Sequence, residues 1–266
     1  NLINSSGVVA SDTSGVGTAR SVLAASTYGT DKAIIGYGTT GSSSNLSNLV
    51  SNSGVVASDT TGVGSARHGL AAASYDGSDK AIFGFGIIGG STITSITNLV
   101  GNNGVIASDT SGVGTARNYV AAASYGGDKA IFGYGATDKV SNSGVVASDT
   151  TGVGTARLLL AAAKYGGDKA VFGYGGYYDG SSMNLLSVTN LVSNTGVVSS
   201  DTSGVGTARR SLAATNYGGD KAIFGFGTSN TAITNLVGNN GVVASDTSGV
   251  GTGRADLCAV GFSLSA

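Results

Sequence analysis

Gly7-Val8-Val9-Ala10-Ser11-Asp12-Thr13-Ser14-Gly15-Val16-Gly17-Thr18-Ala19-Arg20 returns, nearly unchanged, at Gly54, Gly104, Gly144, Gly196 and Gly241. The arginines closing the six copies are Arg20, Arg67, Arg117, Arg157, Arg209 and Arg254, spaced 47, 50, 40, 52 and 45 residues apart. A second string, LAAASYGGDKAIFGYG in its commonest form, follows five of these arginines. Recurrence at such a period is the signature of a repeat architecture, and it organises the rest of the chain.

Each unit reads as four short strands. The first is LAAASY (70–75), and a Gly- and Asp-rich turn leads to the second, KAIFGYG (129–135). The third is TNLV (97–100), joined by a polar turn such as Ser51-Asn52-Ser53-Gly54 to the fourth, VVAS (55–58). Gly, Asn and Asp stand where turns need positive φ or local side-chain bonds. Composition agrees. Gly is 46 of 266 residues, Pro and Trp are absent, and only 11% of residues are charged, against roughly a quarter in typical domains. Every acidic residue is Asp, so the polar residues that build surface helices are scarce.

Four strands in 40–52 residues is the size of a propeller blade. The expected fold is all-β: one β-propeller domain of six blades, each of four antiparallel strands. The repeats fall at about 21–67, 68–117, 118–157, 158–209 and 210–254, with a closing blade made of 1–20 plus 255–266. Small residues such as Ala71, Ala72 and Ala73 suit strands crowded at a hub, and Ile131 and Phe132 suit the packing between blades. Residues 1–20 match only a third and fourth strand. The segment after Arg254 matches only a first strand, with Leu257 on Leu70 and Phe262 on Tyr75. The closing blade therefore lacks its second strand, and the expectation is that the natural chain continues upstream of Asn1 or that a neighbouring molecule fills the gap.

The unit resembles kelch-type β-propellers. There an arginine precedes a small-residue strand, and a glycine turn leads to an aliphatic strand ending in glycines, as in Lys169-Ala170-Val171-Phe172-Gly173-Tyr174-Gly175. Closure by a C-terminal first strand is also familiar from that family. The resemblance implies a binding module. The Gly/Ser/Thr/Ala-rich repeats are also similar to those of virion and tail-associated proteins of phages.

Several functions are excluded as expectations. A net charge of −1 leaves no electrostatic footprint for nucleic acid. No apolar run nears the ~20 residues that span a bilayer, so no membrane insertion is expected. The single cysteine, Cys258, permits neither an internal disulfide nor a Cys-based cluster, and it stands where other units have Ala71 or Ala122. DTSGVGTAR lacks the lysine and following helix of a phosphate loop and the alternating acids of a calcium loop, so neither metal nor cofactor is expected. Of the 29 charged residues, 22 recur, whereas a catalytic site is singular. The expected roles are structural, with Asp capping turns and Arg reaching a neighbouring blade's carbonyls or Asp. His68, the only histidine, occupies a position held elsewhere by Ser21, Asn118, Leu158 and Arg210. No enzyme activity is expected.

The units disagree chiefly in the second-to-third strand loop and in the pair after each arginine. In an up-and-down blade both lie at one face, and loops on a rigid scaffold are where binding resides. Tyr119, Tyr177 and Tyr178 fall in these variable positions, and exposed aromatics anchor partners or sugar rings. With Asn118, His68 and Met183 they form the candidate site. The expected function is a non-enzymatic structural or adhesive scaffold, extracellular or virion-associated, that binds protein or glycan and assembles with other subunits. The alternative is a lectin-like module with several equivalent glycan sites between blades.

Overall fold

A computed structural model of the chain describes residues 1–133 and 135–262. Tyr134, placed above in a second strand, and 263–266, assigned above to the closing blade, lie outside the described residues. The protein is all-β, built of several small antiparallel sheets. Five units each contain a first, second and third strand in that spatial order: Ala24–Tyr28, Lys32–Gly36 and Ser47–Val50; Ala71–Tyr75, Lys80–Gly84 and Thr97–Val100; Ala121–Tyr125, Lys129–Gly133 and Ala136–Val140; Ala161–Tyr165, Lys169–Gly173 and Thr189–Val192; Ala213–Tyr217, Lys221–Gly225 and Thr234–Val237. The first two strands pair from Tyr125–Lys129 to Ala121–Gly133. Gly126 and Gly127 hold φ of 62° and 81° in the turn between them, which side chains with a Cβ resist.

The second strand is the centre of each sheet and of the packing between sheets. Ala81, Ile82 and Phe83 are fully buried. Phe83 lies against Gly36 of the preceding unit, Phe132 against Gly84, Phe172 against Gly133 and Phe224 against Gly173. A Cβ on Gly36 would stand 3.0 Å from the Phe83 ring, so glycine is what lets the phenyl seat. The Tyr37 and Phe83 rings meet edge to face at 5.1 Å, a favoured aromatic geometry. Each apolar cluster thus spans two units: Tyr28, Ile34 and Tyr37 share one with Ala81, Phe83 and Val100.

The expected fourth strand is not a regular strand. In unit one only isolated bridges join Val56 to Val50 and Thr60 to Ser47. Between them the Asn48 carboxamide intrudes, donating to Ala57 O at 3.1 Å and to Asp59 Oδ1 at 2.8 Å. Side-chain bonds replace the backbone ladder there, and the segment follows the sheet edge as a broken ribbon. Among the described residues only unit three extends the pairing, through the short strand Thr150–Thr151.

The crossings between units are joined by a cycle of backbone hydrogen bonds. Gly69 N donates to Val22 O, Tyr119 to Gly69, Leu159 to Tyr119, Ser211 to Leu159, Asp256 to Ser211, and Val22 to Asp256, which closes the cycle. All six residues have φ between 52° and 64°. The two chain ends also meet the rest. Gly54 packs against Leu2 and Phe262, and Gly7 against Tyr217 and Leu236, the contacts that Gly104 makes with Leu49 and Tyr28.

Candidate binding face

In units one, two, four and five the pair after the arginine meets the second-to-third loop of its own unit. Ser21 and Thr39 exchange backbone bonds at 3.1 and 2.9 Å, as do Leu158 and Gly176 at 2.9 and 3.1 Å. His68 pairs with Ile87, and Thr228 N donates to Arg210 O. The two variable sets therefore lie side by side.

Tyr177 and Tyr178 stand on a two-stranded hairpin, Gly176–Tyr178 with Met183–Leu185, in which Tyr178 faces Met183. Its tip is fixed by Asp179, which accepts from Ser181 N, Ser182 N and Asn184 Nδ2 at 2.7–2.9 Å. Those bonds, the Ser182 N–H foremost, hold the Asp179 carboxyl well below the usual carboxylate range. Tyr177 is 38% and Tyr178 64% exposed, so two large rings are presented on backbone that is already ordered. Tyr119 is placed differently. It belongs to the crossing cycle, half-buried, with its ring against Gly69, and it lines a cavity of about 80 Å³ with Leu70, Leu160 and Leu212. Asn118 precedes it, also half-buried. His68 is in unit two, where its Nδ1 lies 3.0 Å from Ser43 Oγ and ties two neighbouring loops together. The structure thus groups Tyr177, Tyr178 and Met183, places Asn118 and Tyr119 at the crossing cycle, and gives His68 a local linking role. Two further apolar side chains, which the aromatic pattern does not mark, are presented there: Ile93 and Leu185 are 46% and 39% exposed on the second-to-third loops of units two and four. The apolar run Ile87-Ile88 before Gly89-Gly90 was the available signal.

The recurring polar residues are engaged with one another. Asp59 accepts from Thr18 N at 2.9 Å and Thr18 Oγ1 at 2.6 Å. The same link joins Ser65 to Asp109, Thr115 to Asp149, Thr155 to Asp201, Thr207 to Asp246 and Thr252 to Asp12. The arginines were expected to reach carbonyls or Asp. They do reach the Asp of the next unit, as Arg67 reaches Asp109 at 3.6 Å and Arg117 reaches Asp149 at 3.2 Å, and in all but Arg117 a carboxamide lies closer still, as in Arg157 to Asn190 and Arg209 to Asn235, both at 2.6 Å. A ring lies beneath several of them: Arg67 is 4.8 Å from Tyr37 and Arg209 4.4 Å from Tyr174. An amide can accept from Arg and donate to Asp at once, which explains why Asn recurs there.

These links set the response to acid. The Thr18 hydroxyl, the Asn48 amide and the Thr18 N–H lower Asp59 to about 2, and the Thr252 hydroxyl and Asn1 lower Asp12 further. At Asp109, Asp201 and Asp246 partial desolvation pushes upward, but the hydrogen bonds outweigh it. A carboxyl depressed in the folded state contributes stability above its unfolded pKa of ~3.9 and loses it as pH falls through the folded value. The melting temperature should therefore hold steady from about pH 8 to 5 and fall steeply between about pH 4 and 2. Circular-dichroism melts check this, and an unchanged melting temperature at about pH 2 would mean that the carboxylates carry no net stability.

Chemically, the hairpin offers aromatic and apolar contact. Desolvation pushes the Cys258 thiol up to about 12, the range of an inert structural thiol. No carboxylate hydrogen-bonds to the His68 ring among the described residues. No known protein family matches the chain, and no curated protein matches it.

Proposed function

We propose that the chain is a six-bladed β-propeller whose closing blade is assembled from both ends, and that it acts as a non-enzymatic adhesive scaffold of a virion or cell surface, binding protein or glycan through the hairpin face. The cycle of backbone bonds through Val22, Gly69, Tyr119, Leu159, Ser211 and Asp256 supports the ring. The observation carrying the function is the hairpin itself. Tyr177 and Tyr178 are held out to solvent on ordered backbone, and rings that need no further ordering are efficient anchors. The extracellular or virion setting rests on the Gly-rich, sparsely charged repeats. The lectin-like alternative needs free polar groups in equivalent clefts between units, whereas the Thr, Asp, Asn and Arg side chains there bond to each other.

A glycan and surface-protein binding screen of the intact chain, beside a variant carrying Tyr119→Ala, Tyr177→Ala and Tyr178→Ala, tests the reading. Binding at one site per chain, weakened at least about tenfold in the variant, is expected, since anchor aromatics carry ~1.4 kcal/mol or more. Equal binding by both proteins removes the site. Six equal sites per chain would move the assignment to the lectin.

A further inference from the structure

The six residues of the crossing cycle and the six that follow them in sequence line one cavity of about 80 Å³. The followers are Leu23, Leu70, Val120, Leu160, Leu212 and Leu257, so one layer of the wall is wholly aliphatic. Leu70, Leu160 and Leu212 are only 5% exposed. Of the twelve lining residues, Asp256 alone carries a charge and Tyr119 alone an aromatic ring. Gly69 has no side chain to fill the centre, and the Tyr119 ring leans over it.

Asp256 differs from the repeated aspartates. Each of those accepts from a Thr or Ser hydroxyl of a neighbouring unit. The Asp256 backbone is engaged, its N–H donating to Ser211 O and its C=O accepting from Val22 N. Its half-buried side chain is not: among the described residues the carboxylate has neither a hydrogen bond nor an ion pair. Nor do second-to-third loops reach this position. In units one, four and five such a loop bonds to Ser21, Leu158 or Arg210, the first residue of each pair, and leaves Val22, Leu159 and Ser211 to the cycle. A cation entering here gains an ionic partner while its alkyl portion leaves water.

We propose that the centre of the crossing cycle is a binding site for a primary ammonium group carried on a short unbranched alkyl chain. Asp256 accepts from the ammonium, the Tyr119 ring adds a cation–π contact, and the aliphatic layer takes the methylenes. Size and charge set the class. At ~10–15 Å³ for each water-sized occupant, the cavity holds a chain of roughly five heavy atoms, too few for a sugar ring with its hydroxyls. An anion would be repelled by Asp256, and a neutral chain would leave that carboxylate unused. A free alkylamine and the lysine side chain of another protein share this chemistry. The site is separate from the Tyr177–Tyr178 hairpin, so it stands whether or not the hairpin binds a partner.

Ligand-detected NMR of the intact chain with n-butylamine at neutral pH should show saturable one-to-one binding, with a Kd of about 1 mM or below. The alcohol n-butanol, the same chain without the charge, should bind at least about tenfold more weakly. Asp256→Asn should weaken the amine at least about tenfold, whereas Tyr178→Ala should leave it unchanged. If the Asp256 variant fails to fold, the comparison of amine with alcohol alone decides. A lysine blocked at both backbone ends distinguishes the sources: its binding assigns the site to a protein side chain, and binding of the free amine alone assigns it to a small molecule. Absence of saturation by either amine, equal binding of n-butanol, or undiminished binding by a folded Asp256→Asn variant overturns the proposal. So does loss of amine binding on Tyr178→Ala, which would move the amine to the hairpin.

Discussion

Gly62→Ala should destabilise the fold by at least about 3 kcal/mol, while Gly15→Ala, the same change in the same motif, should move stability by no more than about 0.5 kcal/mol. A Cβ on Gly62 would stand 1.4 Å from the Asn45 carbonyl oxygen. That oxygen is backbone and cannot swing aside, so a loop or the crossing itself must shift. Gly112, Gly152 and Gly249 face Ser95, Gly135 and Ala232 carbonyls in the same way, at 1.7, 1.8 and 1.4 Å. Gly15 has nothing within 4 Å. The contrast separates two explanations of the repeated glycine. If it served backbone freedom, both substitutions would cost alike; if it serves close approach of a second-to-third loop, only the units with such a loop against them suffer. For a chain of this size ~3 kcal/mol lowers the melting temperature by roughly 6–12 °C. Parallel thermal melts of the two variants decide the matter, and equal losses would refute the steric account.

The same glycines show how far sequence reasoning reached. The first, second and third strands were legible because their residues serve the strand itself: alternation in AAASY, apolar bulk in KAIFG, a paired turn between them. TNLV falls at Thr97–Val100 as read. The fourth strand was misread because VVAS has strand-like residues, whereas the residue that breaks its ladder, Asn48, stands nine positions before its acceptor Ala57. The crossing cycle left no trace in propensity either. Its left-handed positions hold Val22, Tyr119, Leu159, Ser211 and Asp256, and only Gly69 among the six is glycine. A β-branched Val22 at φ 54° is a costly conformation, retained because both its backbone groups bond to neighbouring crossings. The side chain takes no part in those bonds, so the residue is free to differ from unit to unit. Variation at Tyr119 therefore has a structural origin as well as the binding one inferred from sequence, whereas Tyr177 and Tyr178 lie off the cycle on an exposed hairpin.

Asp138→Asn should stabilise the protein by about 1–3 kcal/mol. Five of the six arginines meet an asparagine in the third-strand position, namely Asn1, Asn48, Asn98, Asn190 and Asn235. In each of the four internal cases the amide nitrogen also donates to the Asp of the same unit, as Asn98 does to Asp109 at 2.9 Å. Unit three has Asp138 there instead. Arg117 Nη2 contacts its Oδ1, but Oδ2 has no hydrogen-bond partner among the described residues. It converges with Asp149 Oδ1 above Gly114, so two acceptors face each other where the other units have a donor and an acceptor. Asp138 is fully buried, so neither water nor rotation relieves the mismatch, and a buried acceptor left unpaired costs ~1–3 kcal/mol. The opposing effect is the lost attraction between Arg117 and the Asp138 carboxylate. Arg117 keeps Asp149 at 3.2 Å and the Phe85 ring at 4.8 Å. Arg67 is wholly buried with an asparagine in the same place, so a second carboxylate is not required to hold the cation. Hydrogen-bond satisfaction should win, with a melting temperature higher by roughly 2–12 °C. Urea unfolding of the variant beside the parent measures the sign directly, and a lower midpoint would mean that the buried ion pair outweighs the two unmatched acceptors.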